Sequence, residues 1–190
     1  MKKVSVFILS AILAVTLGSL SSHAAETASP TAFVSSANAD IKKAAGKPGA
    51  TVESIGIVVE KYFDYEEMGK RALGGTYNTI DAKNRKTFFD LFISHNRRQL
   101  QPSLVERAQL KTKYAASGDA TTVSTTVTTN KGKISVVYKL YYTKTNELRI
   151  YDVITGGESY LNTKKDQFGT ILGKEGFDGL IWRMRKMFQP

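Results

Sequence analysis

Past residue 120 the apolar pattern changes its period, and this change constrains the fold more than any other feature of the chain. Residues 121–129 read Thr-Thr-Val-Ser-Thr-Thr-Val-Thr-Thr, almost wholly β-branched. Such side chains lose rotamer freedom in a helix and suit a pleated surface. Asn130-Lys131-Gly132 is a tight-turn signal. In Lys133 to Tyr142 the residues Ile134, Val136, Tyr138, Leu140 and Tyr142 then alternate with the others. Lys144-Thr145-Asn146 marks a second turn, and Leu148 to Ile154 a further strand. Two successive hairpins predict an antiparallel meander, and Val105 to Tyr114 is expected to add a strand before it. Gly156-Gly157 is expected to stop the sheet.

The chain on either side reads with helical spacing. Phe33, Val34, Ala37 and Ile41 predict a helix over 31–45, after a flexible lead at 26–31 and before the breaker Gly46-Lys47-Pro48-Gly49. A second helix is expected over 52–62, with Val52, Ile55, Val58 and Val59 as its apolar stripe. Asp64 can cap a short third helix through Leu73, and Gly74-Gly75 can end it. Asp81 can cap a long one to about Leu100, carrying Phe88, Leu91, Phe92 and His95 on one face, with Pro102 just beyond its end. Tyr160–Gly173 and Phe177–Phe188 read as closing helices split at Gly176. The fold class is therefore α+β, with helices covering one face of a curved antiparallel sheet. The space between sheet and helices is either a filled core or a cavity, and periodicity does not distinguish the two.

The first residues read as an export signal. Met1-Lys2-Lys3 is basic, Val4 to Leu17 is almost unbroken apolar, and Ser22-His23-Ala24 supplies small residues where a signal peptidase cuts. The apolar run is short for a membrane span. We therefore expect residues 1–25 to be a cleaved leader and 26–190 a single domain in the periplasm. The chain has no cysteine, which excludes disulfides, thiolate catalysis and Cys-ligated metals. Its 27 basic and 17 acidic residues give +10, and loss of Lys2 and Lys3 with the leader leaves +8. A basic surface favours anionic partners, but the cations are scattered, and export makes nucleic acid the weakest of these partners.

Candidate chemistry is sparse. His95 is the lone histidine once His23 leaves, so no His/Cys metal cluster can be built, and no cofactor is implied. The glycine pairs lack phosphate-loop spacing. Asp152 stands within an apolar strand and needs a partner there. It is either a structural hydrogen-bond or ion-pair partner or a general acid or base in a cavity, in which case Tyr138 is a candidate companion. Aromatic residues from Tyr62 to Trp182 are dense around the expected sheet–helix interface, as core or as the lining of an apolar pocket.

An ordered set of segments carries a family resemblance. It begins with Asp64-Tyr65-Glu66-Glu67-Met68-Gly69-Lys70-Arg71-Ala72-Leu73-Gly74, then Asp81-Ala82-Lys83-Asn84-Arg85 with Phe88 and Phe92. Val137-Tyr138-Lys139-Leu140, Ile150-Tyr151-Asp152-Val153, Gly157-Glu158-Ser159 and Asn162 with Gln167-Phe168 follow, and Glu175-Gly176-Phe177-Asp178-Gly179-Leu180-Ile181 closes the set. Together they resemble the MlaC family, also called the toluene-tolerance auxiliary family, of periplasmic phospholipid-binding components of a lipid ABC transport system. Asn84, Leu148 and the segment Asn96-Arg97-Arg98-Gln99 depart from the usual pattern, which bears on the ligand more than on the fold.

The resemblance implies an NTF2-like cone with extra N- and C-terminal helices. It also implies a monomeric, non-catalytic carrier for a phospholipid or a related membrane lipid such as a hopanoid-associated one. The partners it implies are an inner-membrane MCE-domain/ABC complex and an outer-membrane lipoprotein complex. The expected lipid-binding residues are Met68, Leu73, Phe88, Phe92, Val136, Tyr138, Leu140, Ile150, Phe168 and Leu172.

Overall fold

The computed structural model describes residues 29–108, 111–116, 121–129 and 131–187. The expected leader, 1–25, lies outside them. The helix α1 spans Pro30–Ala45, capped by Ser29, whose Oγ accepts from the Ala32 amide. Next come α2 (Val52–Val59), closed at its N-terminus by a reciprocal Thr51–Ser54 capping box, and α3 (Tyr65–Leu73). A single turn, α4 (Thr76–Thr79), was not foreseen; it fills the link to α5 (Ala82–Ala108).

Five strands follow in simple meander order, each antiparallel to the next: β1 (Lys111–Ala116), β2 (Thr122–Thr129), β3 (Gly132–Tyr142), β4 (Leu148–Thr155) and β5 (Glu158–Ser159). The closing helix α6 spans Tyr160–Met187 and breaks at Gly176, whose φ of 69° and ψ of −171° are not helical. The expected split of the closing segment at Gly176 is therefore present.

Two boundaries depart from the sequence reading. The long helix does not stop near Leu100. It passes through Pro102 to Ala108, so Val105 is helical and the first strand starts only at Lys111. A proline removes one helical hydrogen bond and crowds the preceding turn. Pro102 is solvent-exposed, however, and Val105 beyond it packs against the core, so tertiary contact carries the helix past the proline. Gly156-Gly157 likewise does not end the sheet. Both glycines take positive φ, 61° and 87°, and turn the chain into β5, which pairs Ile154 with Ser159 and Thr155 with Glu158.

Register determines which residues face inward. Val123 pairs with Tyr138, Thr125 with Val136, and Tyr138 with Val153, so these share one face, and all are buried. Between Lys139 and Leu140 the β3–β4 register shifts: Lys139 opposes Asp152 while Leu140 opposes Ile150. Tyr151 is thus the extra residue of a bulge, which bends the strand and lets Ile150 and Val153, three positions apart, both pair on the inward face, while Asp152 lies opposite Lys139 on the other.

The segment Asp64–Gly74 is a strut between α5 and the sheet. Asp64 caps α3, its Oδ1 accepting from the Glu67 amide at 2.8 Å, while its Oδ2 accepts from the Tyr141 hydroxyl at 2.5 Å. Glu67 accepts from Arg71, whose guanidinium lies 4.0 Å from the centre of the Tyr151 ring. Gly69 faces α5 so closely that a Cβ there would stand 3.0–3.1 Å from ring atoms of Phe88, Phe89 and Phe92. Gly74 ends the helix at φ 56°.

Candidate functional site

The residues expected to hold a ligand fall into three groups. Phe88 and Phe92 stack at 5.5 Å between ring centres, and Phe168 of α6 meets both edge-on at 5.7 and 6.0 Å. Met68 is fully buried in the same core. The second group is the inward sheet face, with Val136, Tyr138, Leu140 and Ile150 all buried. Leu73 and Leu172 form the third. They line an open groove of about 570 Å³ between the end of α3 and α6, which also includes Gly74, Gly75 and Lys165. The structure thus brings nine of the ten into one buried core, Leu73 at the edge where it meets the groove, and leaves Leu172 partly buried against it.

Among the described residues the seam between α1 and the inward sheet face is closed. The cleft reaching the inward sheet face has room for only about 10 Å³, no more than about one water. Its walls are Val34, Ala37, Asn38 and Ile41 of α1 against Phe63, Tyr138 and Ile150. The α1 residues were visible as a helical stripe, but spacing alone did not say which surface they cover. Only tertiary pairing puts α1 over Tyr138 and Ile150. The helix is tied down by a 2.6 Å hydrogen bond from the Tyr62 hydroxyl to Asp40 Oδ2 and by an edge-on contact of 5.2 Å between Phe33 and Tyr62. Burial, with that carboxylate beside it, pushes the Tyr62 hydroxyl pKa up to about 12. Tyr62 belongs to a segment fixed to β4: its carbonyl accepts from the Ile150 amide, and Asp64 donates to the Ile150 carbonyl.

Polar groups inside are few and mostly committed. Asp152 Oδ1 accepts from the amides of Val153 and Leu161 at 2.8 and 2.9 Å, and Oδ2 from the Ser159 hydroxyl at 2.6 Å. Ser159 in turn caps α6 through the Asn162 amide. Asp152 is therefore the acceptor that seats the first turn of α6 on β4. Its register partner is Lys139, whereas Tyr138 lies opposite Val153, so Asp152 and Tyr138 point to opposite sides of the sheet. The acid–base pairing of these two considered from the sequence has no geometric basis here.

His95 is buried, and loss of water, reinforced by the nearby Lys164 charge, lowers its pKa to about 4; it is neutral at neutral pH. Burial also lowers the pKa of Lys164. Asn96 donates to the Phe92 carbonyl, while its Oδ1 and the Tyr160 hydroxyl are buried without a hydrogen-bond partner among the described residues. No cluster of three or more metal-ligating side chains occurs among the described residues. Nor is any described helix long and apolar enough to cross a membrane.

Two expectations about apolar surface are corrected. Trp182, counted with the interface aromatics, is 53 % exposed on the outer side of α6, and Val52, counted in the α2 stripe, is 49 % exposed. Trp182 lies between the inward positions Leu180, Ile181 and Met184, and the helical turn carries its side chain outward.

A meander of five antiparallel strands wrapped by helices before and after it, around an interior of aliphatic and aromatic side chains, defines an α+β cone of the apolar-interior class. The chain belongs to the MlaC family: the family profile described as "MlaC protein" matches residues 29–186. The intermembrane phospholipid transport system binding protein MlaC of Haemophilus influenzae Rd is 25 % identical over 133 residues. That stretch spans 66 % of this chain and 62 % of the relative's length. Among solved structures, the phospholipid-binding protein from Ralstonia solanacearum, determined in complex with a phospholipid, shares the fold. Its TM-score is 0.73 at 22 % identity, covering 84 % of this chain and 96 % of that one.

Proposed function

We propose that this chain is a periplasmic, non-enzymatic carrier for a phospholipid or a related membrane lipid. It would hold the acyl chains between the inward sheet face and α1, α5 and α6 while moving between an outer-membrane lipoprotein complex and an inner-membrane MCE-domain/ABC complex. The observation that carries this reading is the family match over 29–186 on a fold whose interior face is apolar. The names of the Haemophilus and Ralstonia proteins support phospholipid as the cargo class.

The physics is compatible. Two acyl chains of about 15 methylenes each cost on the order of 24 kcal/mol to expose to water, at about 0.8 kcal/mol per methylene. A carrier between membranes must therefore enclose the chains, yet hold them no more tightly than a bilayer does. Hydrocarbon walls with few polar contacts meet both demands. Because the seam between α1 and the sheet is closed here, a cargo entering along it must part α1 from the inward face. Along this seam α1 presents the small residue Ala37 beside the Asp40–Tyr62 hydrogen bond and the Phe33–Tyr62 ring contact. Asn96 and Tyr160 would offer polar points to the ester region of the cargo.

Native mass spectrometry of protein purified from periplasm, with lipid extraction of the same sample, tests the reading. A stoichiometric lipid adduct is expected, on a chain whose mass lacks residues 1–25. The extract distinguishes phospholipid from a hopanoid-type lipid. Val136→Trp or Leu140→Trp should fill the inward face and abolish the adduct in a protein that still folds. A bare mass, together with failure to take phospholipid from vesicles, would remove the carrier reading.

A further inference from the structure

The outer face of the last helical turns has no structural task that accounts for its composition. Residues 182–187 read Trp-Arg-Met-Arg-Lys-Met. Leu180, Ile181 and Met184 are buried and fix the helix to the body, so Trp182, Arg185 and Lys186 are held facing solvent. The exposed Met187 adds apolar surface at the helix end. Arg183 is engaged by Glu175 through a forked contact. Among the described residues no carboxylate pairs with Arg185 or Lys186. The Lys186 ammonium instead sits 4.1 Å from the centre of the Trp182 ring. Cations in a last turn complement the helix dipole, which accounts for Arg185 and Lys186 but not for an outward indole beside them.

We propose that this Trp182–Arg185–Lys186 face is a docking surface for an anionic lipid bilayer. An indole with its edge free and flexible cations around it matches the membrane–water boundary. There the ring lies among the headgroups while the cations reach their phosphates. Charge complementarity selects the anionic surface, and the net charge, +10 for the whole chain and +8 without residues 1–25, works in the same direction at longer range. The proposal concerns the outside of the protein and stands independently of what the interior holds.

Trp182 is the sole tryptophan of the chain, so its fluorescence reports this face without substitution. Purified protein is titrated with vesicles of phosphatidylcholine containing phosphatidylglycerol, and separately with phosphatidylcholine alone. The anionic vesicles should shift the emission to the blue, and brominated acyl chains should quench it. Co-sedimentation should show binding that weakens with salt. Arg185→Ala with Lys186→Ala should weaken vesicle binding roughly 25-fold, about fivefold per cation. Trp182→Ala should weaken it in co-sedimentation while the circular dichroism and melting point stay unchanged.

Unchanged emission, equal binding to both vesicle types, or full binding by the double variant would overturn the proposal. If emission is unchanged while the protein still extracts lipid from vesicles, the docking surface falls and the carrier stands. Binding through this face with no lipid taken up would leave the surface standing and remove the carrier.

Discussion

Replacing Asp152 tests whether the buried carboxylate is a fastener or a reagent. Its two oxygens accept three hydrogen bonds, from Val153, Leu161 and Ser159, and these join β4 to the start of α6. Each bond to a charged acceptor contributes about 1.5–3 kcal/mol, offset by the cost of keeping a carboxylate out of water. Asp152→Ala removes all three acceptors and leaves buried donors behind, so we expect a net loss of about 3 kcal/mol. At about 2–4 °C per kcal/mol for a domain of this size, the melting point should fall by roughly 6–12 °C. Asp152→Asn keeps one oxygen for the two amides and should cost about half as much. The assay is urea unfolding followed by circular dichroism, with lipid loading measured on the folded fraction. The order wild type, Asn, Ala in stability, with loading intact in all three, is the expected result. A loss below about 0.5 kcal/mol for Asp152→Ala would refute the capping argument. Loss of a small-molecule turnover in Asp152→Asn at unchanged stability would return the residue to chemistry.

Other outcomes follow from single observations. Burial holds His95 near pKa 4 against 6.5 in the unfolded chain, so the unfolded state binds the extra proton between these values. Stability is then full above about pH 6.5 and falls as pH drops toward 4, by on the order of 2–3 kcal/mol at pH 4.5. His95→Leu should flatten that part of a pH series of urea midpoints, and an unchanged slope would count against it. Gly69→Ala should destabilise by about 1–2 kcal/mol, because overpacking against three rings exceeds the gain in helix propensity; a stabilised variant would show that α3 and α5 have slack. Tyr62→Phe should cost about 1 kcal/mol and speed hydrogen exchange in α1 specifically, and uniform protection would show that Asp40 is not the tie. Pro102→Ala should stabilise by roughly 1–3 kcal/mol, read as a higher urea midpoint.

Much of the fold was legible because short-range chemistry dictates it. The β-branched run at 121–129, the turn at Lys144-Thr145-Asn146 and the alternation through Val136, Tyr138 and Leu140 act over neighbouring residues, and they located β2, β3 and β4. Asp64 and Asp81 announced helix starts, and Gly74 and Gly176 announced breaks. Pro102 misled because a proline's penalty is local, whereas the packing of Val105 after it is not. Trp182 misled for the same kind of reason: an aromatic residue carries no label for inside or outside, and only the phase of α6 against the body turns it to solvent.

By itself the sequence determined the α+β class, the order of elements, the inward set of β3 and, through the ordered motifs, the family. Those are properties of periodicity, capping and residue identity along one strand of chain. Tertiary structure alone decided that α1 covers Tyr138 and Ile150 and closes on them, that Asp152 pairs opposite Lys139 and not beside Tyr138, and that Trp182 faces outward. Each depends on register or packing between segments distant in sequence, where a shift of one residue reverses the face presented and no local signal records the choice.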